Sequence, residues 1–483
     1  MPLMGFLGIF LMQKNLKNAL DNSRNLALFV SCATFLFSVA IFFQFDSRLD
    51  IFQLVEKYSW LPMIGMRYHL GVDGISICFV LLSTFMSLIA VISSFHSIKT
   101  HPKTFYMNIL ILEFMLIGSF ISLDMIMFFI FFEGSLIPMF MIIGLWGGEN
   151  RVYASFKIVL YTLTGSILML IAIVAISFQM GSTSIKLASH FNFSMDSQHF
   201  LFLAFFISFA VKTPMIPVHT WLPDAHVQAP AAGSILLAAV LLKLGGYGFL
   251  RFSLPMFPEA CYTFAPFIQG LSVVAIIYAS LVALAQTDLK KVIAYSSIAH
   301  MGYVTLGIFS LKHEGITGAM YQMLSHGVIS GALFMCVGIL YHQTHTREIK
   351  EYGGVVGSMP DFTVLFFLLT LGAIGLPGTS GFVGEILVLL SAYSSSLWLV
   401  VCAGGGIILG AVYSLTLFGR IFWGQIHNKK VKELVDIQGI EKIALVSLVL
   451  IMLVMGVYPK MLMRVFDNSI KDITSILEGI SYE

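Results

Sequence analysis

Six ionisable side chains interrupt stretches that are otherwise almost wholly apolar. Glu133 stands near the centre of MIMFFIFFEGSLIPMFMIIGLW, Lys212 lies in FISFAVKTPMIP just ahead of a pair of prolines, and Lys243 breaks AAVLLKLGGYG. His300 and His326 fall in SSIAHMGYV and QMLSHGVIS, and Glu385 in GFVGEILVLL. Glu113, in ILILEFMLI, is a weaker seventh. A charge at the centre of a bilayer costs at least about 2.5–3.5 kcal/mol, so such residues carry function by default. One Glu or Lys near a helix end is as readily explained by a local partner that sets helix register. Seven, spread over seven apolar runs and alternating acid, base, imidazole and acid, are what a hydrated proton relay needs. A lysine whose carboxylate partner withdraws tends to release its proton. That is a usable switch.

Other chemistries fit less well. Two histidines on two helices could ligate a haem, but the rest of the set is carboxylate and amine, which suits proton transfer. His342-Gln-Thr-His345 reads as a solvated loop rather than a metal site. His219 and His226, in HTWLPDAH, either line the mouth of a cavity or hydrogen-bond the broken backbone beside them. The five cysteines are scattered singly, with no CxxC or Cys/His cluster to hold an iron–sulfur centre or zinc. No phosphate-binding glycine motif is present. Gly404-Gly405-Gly406 lies within an apolar run and reads as a close helix contact.

The composition says where these residues must sit. Of 483 residues 58% are hydrophobic and 11% charged, and the mean hydropathy is +0.90. A soluble chain carries about 25% charged residues to solvate its surface; this one must face lipid. A net charge of +2 gives no field for nucleic acid. The opening MPLMGFLGIFLM lacks the basic segment and small-residue cleavage site of a signal peptide.

A spanning helix needs about 20 apolar residues. Runs of that order fall near 25–46, 71–95, 105–122, 124–146, 154–179, 199–220, 228–250, 262–285, 290–311, 315–341, 361–395, 396–425 and 439–459. With the short run 1–12 the chain reads as an all-α polytopic membrane protein of about fourteen helices, a single transmembrane domain over residues 1–483. Helices seven and twelve are interrupted, at Lys212–Pro217 and Gly375–Gly381. Discontinuous helices at matching places point to two inverted five-helix repeats with an ion site between them. Lys14, Lys17, Arg24, Lys99, Lys103, Arg151, Lys290, Lys291, Arg347, Lys350, Arg420, Lys429, Lys430 and Lys432 follow odd-numbered helices; about half as many, including Arg48, Lys57, Arg67, Lys186, Arg251 and Lys312, follow even-numbered ones. The excess places the odd loops on the cytoplasmic or matrix side, with both termini opposite.

The run AVKTPMIPVHTWLPDAHVQAPAAGSILLAAVLLKLGGYGFLRF, at 210–252, resembles the signature of the antiporter-like membrane subunits of respiratory complex I. KKVIAYSSIAHMGYV, GLPGTSGFVGE, GVDGIS and FFEGSLIPMF match further blocks of that family, in its order and over most of the chain. The resemblance implies an antiporter-like core over 105–425 and a proton-translocating role in an NADH:quinone oxidoreductase. It implies that Glu133 and Lys212 form an ion pair between helices five and seven. Lys243 becomes the central lysine of helix eight, His300 and His326 members of a hydrophilic axis, and Glu385 an acidic residue where sister subunits carry lysine. It implies no cofactor in this chain, with NAD, FMN, iron–sulfur clusters and quinone bound by partner subunits, and other antiporter-like subunits as neighbours in the bilayer. The alternatives are a subunit of a multisubunit cation/proton antiporter or of a membrane-bound hydrogenase complex; Glu385 and LRFSLPMFPEA argue against both. HTWLPDAHVQAP favours a bacterial plasma membrane over a mitochondrial inner membrane.

Overall fold

The computed structural model describes residues 1–12, 19–49, 51–61 and 65–480; Lys14 and Lys17 lie outside the described residues. Each apolar run falls on a helix or a pair of short helices. Among the described residues, ten helical segments are long and apolar enough to cross a membrane, and Pro2–Leu11, Pro360–Ile374 and Ser380–Tyr393 are shorter apolar helices. Many start where the sequence makes starting cheap. Asp73, Asp124 and Asp288 accept hydrogen bonds from the first free amides of the helices they precede. Pro102, Pro258 and Pro360 occupy first-turn positions, where a missing N–H costs nothing.

Both expected interruptions are present. Met195–Lys212 stops at Lys212, and helical structure resumes at Trp221–Gln228. Pro360–Ile374 ends on Gly375, whose φ of +78° is left-handed, and Ser380–Tyr393 follows. Between the breaks, the segment Ala231–Met256 is buried along its whole apolar core. Lys243 lies at the middle of this segment. Arg251 is also in this segment and Arg24 in Ala19–Gln44, rather than in the loops their spacing suggested.

A hairpin and a long amphipathic helix are not among the segments apolar enough to cross. Gln53–Leu61 and Met66–Val72 pair as an antiparallel hairpin, with Tyr58 opposite Tyr68 and Glu56 opposite Leu70; Lys57 and Arg67 belong to its strands. This is a small β addition to an otherwise helical chain. Lys460–Ile480 is amphipathic: Phe466, Ile470, Ile473 and Leu477 recur on one face and are buried. It lies at the hairpin end, where Asn468 donates to the Ser47 carbonyl at 2.8 Å. At the opposite end, Trp146 donates to Thr100 O at 2.7 Å and Lys430 to Thr344 O at 3.0 Å. The loops after helices three and five thus meet, as do those after helices eleven and thirteen.

Candidate functional site

Lys243 is enclosed on every side, and the sequence KLGGYG explains how. A Cβ on Gly245 would come within 2.6 Å of the Phe209 carbonyl oxygen, and one on Gly248 within 2.4 Å of the Phe209 ring. One on Gly246 would meet Met323 Sδ at 2.4 Å. Glycine is what lets the segment lie this close to Met195–Lys212, whereas on the His313–Thr344 side Gly246 meets the flexible Met323. Two wide, π-type turns, Leu237–Leu241 and Phe249–Ser253, bracket the lysine; such turns concentrate at functional sites. The Lys243 amine reaches back to the Ala238 carbonyl at 2.5 Å and donates to His326 Nδ1 at 2.6 Å.

His326 accepts at Nδ1, which leaves the hydrogen on Nε2; that atom is buried without a protein partner. The His326 and His300 ring centres are 5.5 Å apart and tilted by 52°. Each ring uses Nδ1 on a different side chain, an arrangement with no room for a macrocycle between them. His300 Nδ1 is 2.9 Å from Glu385 Oε1, and Gln322 Nε2 donates to the same oxygen at 3.1 Å. Glu385 is 3% exposed. Its other oxygen faces Gly375, where a Cβ would stand 3.1 Å away. The helix break therefore also makes room for the carboxylate. Ser325 donates to Ser380 at 2.8 Å, tying His313–Thr344 to the resumed half of the broken helix.

Small cavities meet at this string. One is lined by Ser296, His300, Gln322, Ser325, His326 and Ser330. A second includes His300, Tyr303, Glu385 and Tyr413, and a third Ser296, Thr370, Tyr413 and Ser414. Hydroxyls and imidazoles in such number offer a water the polar partners it requires.

The other half of the set is arranged more openly. Lys212 is 2% exposed, and its ammonium sits over the Phe132 ring at 4.6 Å. Glu133, the next residue after Phe132, interacts with it electrostatically. Yet Lys212 Nζ and Glu133 Oε1 are both buried with no hydrogen-bond partner. The two charges face one another across a gap. A desolvated cation over an aromatic face gains about 2 kcal/mol, which helps hold Lys212 there. The break after Lys212 is satisfied from within: Met215 N donates to Ala210 O at 2.8 Å, and the Trp221 indole to Val211 O at 3.0 Å. Gly245 packs directly on Thr213, so the Lys212 break and the Lys243 segment touch.

Of the secondary candidates, Glu113 is wholly buried with neither oxygen paired, on Pro102–Ile121. His219 lies in the break with its ring against Tyr278, centres 5.6 Å apart. His226 stacks on Phe334 at 4.3 Å, with both nitrogens buried and unpartnered. None of the three joins the hydrogen-bonded string. Gln322 does belong to it, the Ser325–Ser380 pair ties together two of the helices that carry it, and all three escaped the sequence reading. Gln322 precedes His326 by four residues, one helical turn on the same face, and that spacing was the available signal.

Comparison with known proteins adds a common ancestry. The family described as NADH:quinone oxidoreductase/Mrp antiporter, transmembrane, matches residues 122–410. A Rhodobacter capsulatus protein named NADH-quinone oxidoreductase subunit M is 49% identical over 462 residues, 93% of this chain and 90% of that one. A Chondrus crispus protein named NADH-ubiquinone oxidoreductase chain 4 is 49% identical over 95% of this chain and 93% of its own. Among solved structures, a chain of respiratory complex I from Thermus thermophilus superposes with a TM-score of 0.90 at 31% identity, covering 99% of this chain and 98% of that one.

Proposed function

Because the chain belongs to the NADH:quinone oxidoreductase/Mrp antiporter family of membrane subunits, we propose that it is a proton-translocating subunit of the membrane arm of respiratory complex I. In that setting it couples electron transfer from NADH to quinone, carried out on partner subunits, to proton movement across a bilayer. NAD, FMN, iron–sulfur clusters and quinone would be bound by those partners, and other antiporter-like subunits would flank this one. Near-full-length identity of 49% to proteins named as subunits of that enzyme favours it over an antiporter or hydrogenase-type complex. The membrane is a respiratory one, bacterial plasma membrane or mitochondrial inner membrane, and such names occur in both lineages.

The observation that carries the reading is the row Lys243, His326, His300 and Glu385 on four helical segments, hydrogen-bonded at both ends, with the two imidazole centres 5.5 Å apart in the middle. Each imidazole in it can take a proton on one nitrogen and release one from the other. Lys243 gives to His326 Nδ1; the Nε2 hydrogen of His326 passes to His300 by way of a water in the small cavity that both rings line; His300 Nδ1 delivers to the Glu385 carboxylate. Gln322 keeps that carboxylate aimed. Glu133 and Lys212 act upstream. When Glu133 moves away, Lys212 loses a nearby countercharge and releases its proton toward Lys243. The core spans 105–425 and holds the two inverted five-helix repeats. Supporting this, isolated bridges join Asp124 to Ser184 and Asp288 to Glu348, the same 60-residue separation, at opposite ends of the molecule.

Lys212→Ala should abolish NADH-driven proton pumping in reconstituted vesicles while the complex still assembles. An assembled Lys212→Ala complex that pumps at the parental ratio would sink the proposal.

A further inference from the structure

A second polar string leaves Lys243 in the other direction along its own helix. Tyr247 and Arg251 follow at four-residue steps on the same stripe. The Tyr247 hydroxyl donates to Phe120 O at 2.9 Å and accepts from Arg251 Nε at 3.1 Å. Arg251 Nη2 is 2.6 Å from Asp73 Oδ1, and both side chains are only 10% exposed. The guanidinium is flanked by Tyr247 and by Phe52, at 5.4 and 5.1 Å from the ring centres. The C-terminal helix covers this end: Gly74 N donates to Ser469 Oγ at 3.1 Å, and a Cβ on Gly74 would lie 2.0 Å from the Val465 carbonyl oxygen.

A buried ion pair is poor value as a stabiliser, because desolvating two charges offsets most of their attraction. Its position suggests another use. The string runs from Lys243 to the hairpin face, and a proton following it would bypass His326, His300 and Glu385. A hydroxyl relays a proton only if the group it accepts from can give one up and the group it donates to can pass one on. The Tyr247 oxygen instead takes a hydrogen from a guanidinium, which does not deprotonate in proteins, and gives its own to a backbone carbonyl, which passes nothing on. A fixed arginine charge also excludes protons from polar passages.

We propose that Arg251, anchored by Asp73 on its outward side, is an electrostatic plug that seals the hairpin end of the Lys243 helix and obliges protons on Lys243 to move sideways to His326. The proposal rests on the reading of Lys243 as a relay site. Arg251 acts through Tyr247 and is a positioning residue, not a proton carrier.

The test uses the whole complex in vesicles containing a pH dye, with a potassium diffusion potential imposed and no NADH. Passive proton leak in Arg251→Gln should be about tenfold faster than in the parent, the factor given by one 1.36 kcal/mol step in barrier. Arg251→Lys, which keeps the charge, should leak at the parental rate. Adding Lys243→Met to Arg251→Gln should restore the parental rate. If Arg251→Gln does not assemble, Asp73→Asn combined with Arg251→Gln removes both charges at nearly constant shape and makes the same comparison. A parental leak in the assembled charge-free variant overturns the plug, as does a fast leak that survives Lys243→Met. Lys243→Met alone pumping normally with NADH overturns the relay reading itself. A silent plug variant beside a Lys243→Met complex that cannot pump overturns the plug alone.

Discussion

Glu385 Oε1 is where the string ends, shared by an imidazole and an amide donor. Glutamine at 385 would preserve the volume and an acceptor oxygen for Gln322 but could not take a proton. NADH-driven pumping by Glu385→Gln should fall by about tenfold or more, a barrier increase of about 1.4 kcal/mol, with assembly unchanged on native gels. The acids, lysines and histidines were legible because a charge in an apolar run is conspicuous. Glu133 and Lys212 were expected as an ion pair and instead face each other without touching. Sequence supplies the partners but not the gap, which is set by where the helix after Lys212 breaks and by Phe132 standing under the ammonium. Gln322 stayed hidden because an uncharged amide in a polar-speckled helix looks like packing until its partner is known.

The helices place these residues through a few close approaches, and the glycines differ in what a methyl group would cost. A methyl on Gly246 meets the thioether of Met323, which is flexible and can move aside. A methyl on Gly245 meets backbone of the Met195–Lys212 helix and its break, which cannot. Gly245→Ala should therefore destabilise the chain by about 1–3 kcal/mol, read as a lower thermal midpoint of the isolated complex, while Gly246→Ala should be nearly silent. The breaks were readable from their Pro and Gly content. The hairpin was not: in Gln53–Leu61 nearly every residue is exposed, so no alternation separates it from loop. The helix Lys460–Ile480 carries a clear period-3.6 stripe, but a search for long apolar runs passes over an amphipathic helix lying at the surface.

Sidedness belongs to the molecule as a whole. The loops at 94–101, 146–150, 345–354 and 423–438 assemble on one face, and the hairpin, residues 181–184 and the C-terminal helix on the other. The charge excess on the first face assigns it to the cytoplasm or matrix. In a background lacking the five native cysteines, Lys99→Cys should react with an impermeant maleimide only from that side. Tyr58→Cys, on the 67% exposed hairpin tyrosine, should react only from the other; the reverse pattern inverts the assignment. This arrangement was readable from lysine and arginine only with the short run 1–12 counted, because one miscounted span inverts the parity of every loop after it. Arg251 was miscounted as a loop charge because a buried guanidinium and an exposed one look alike in sequence.

The wide turn Leu237–Leu241 has an evolutionary reading. A π-type turn is a one-residue insertion absorbed by a helix. A descendant that lost a single residue there would restore a regular helix and keep everything beyond it in phase, so the fold would survive. The Ala238 carbonyl would then join the ordinary backbone ladder, and the Lys243 amine would lose its anchor. A lineage shorter by one residue at this point is where one should look for a relative that has retained the architecture and abandoned the pump.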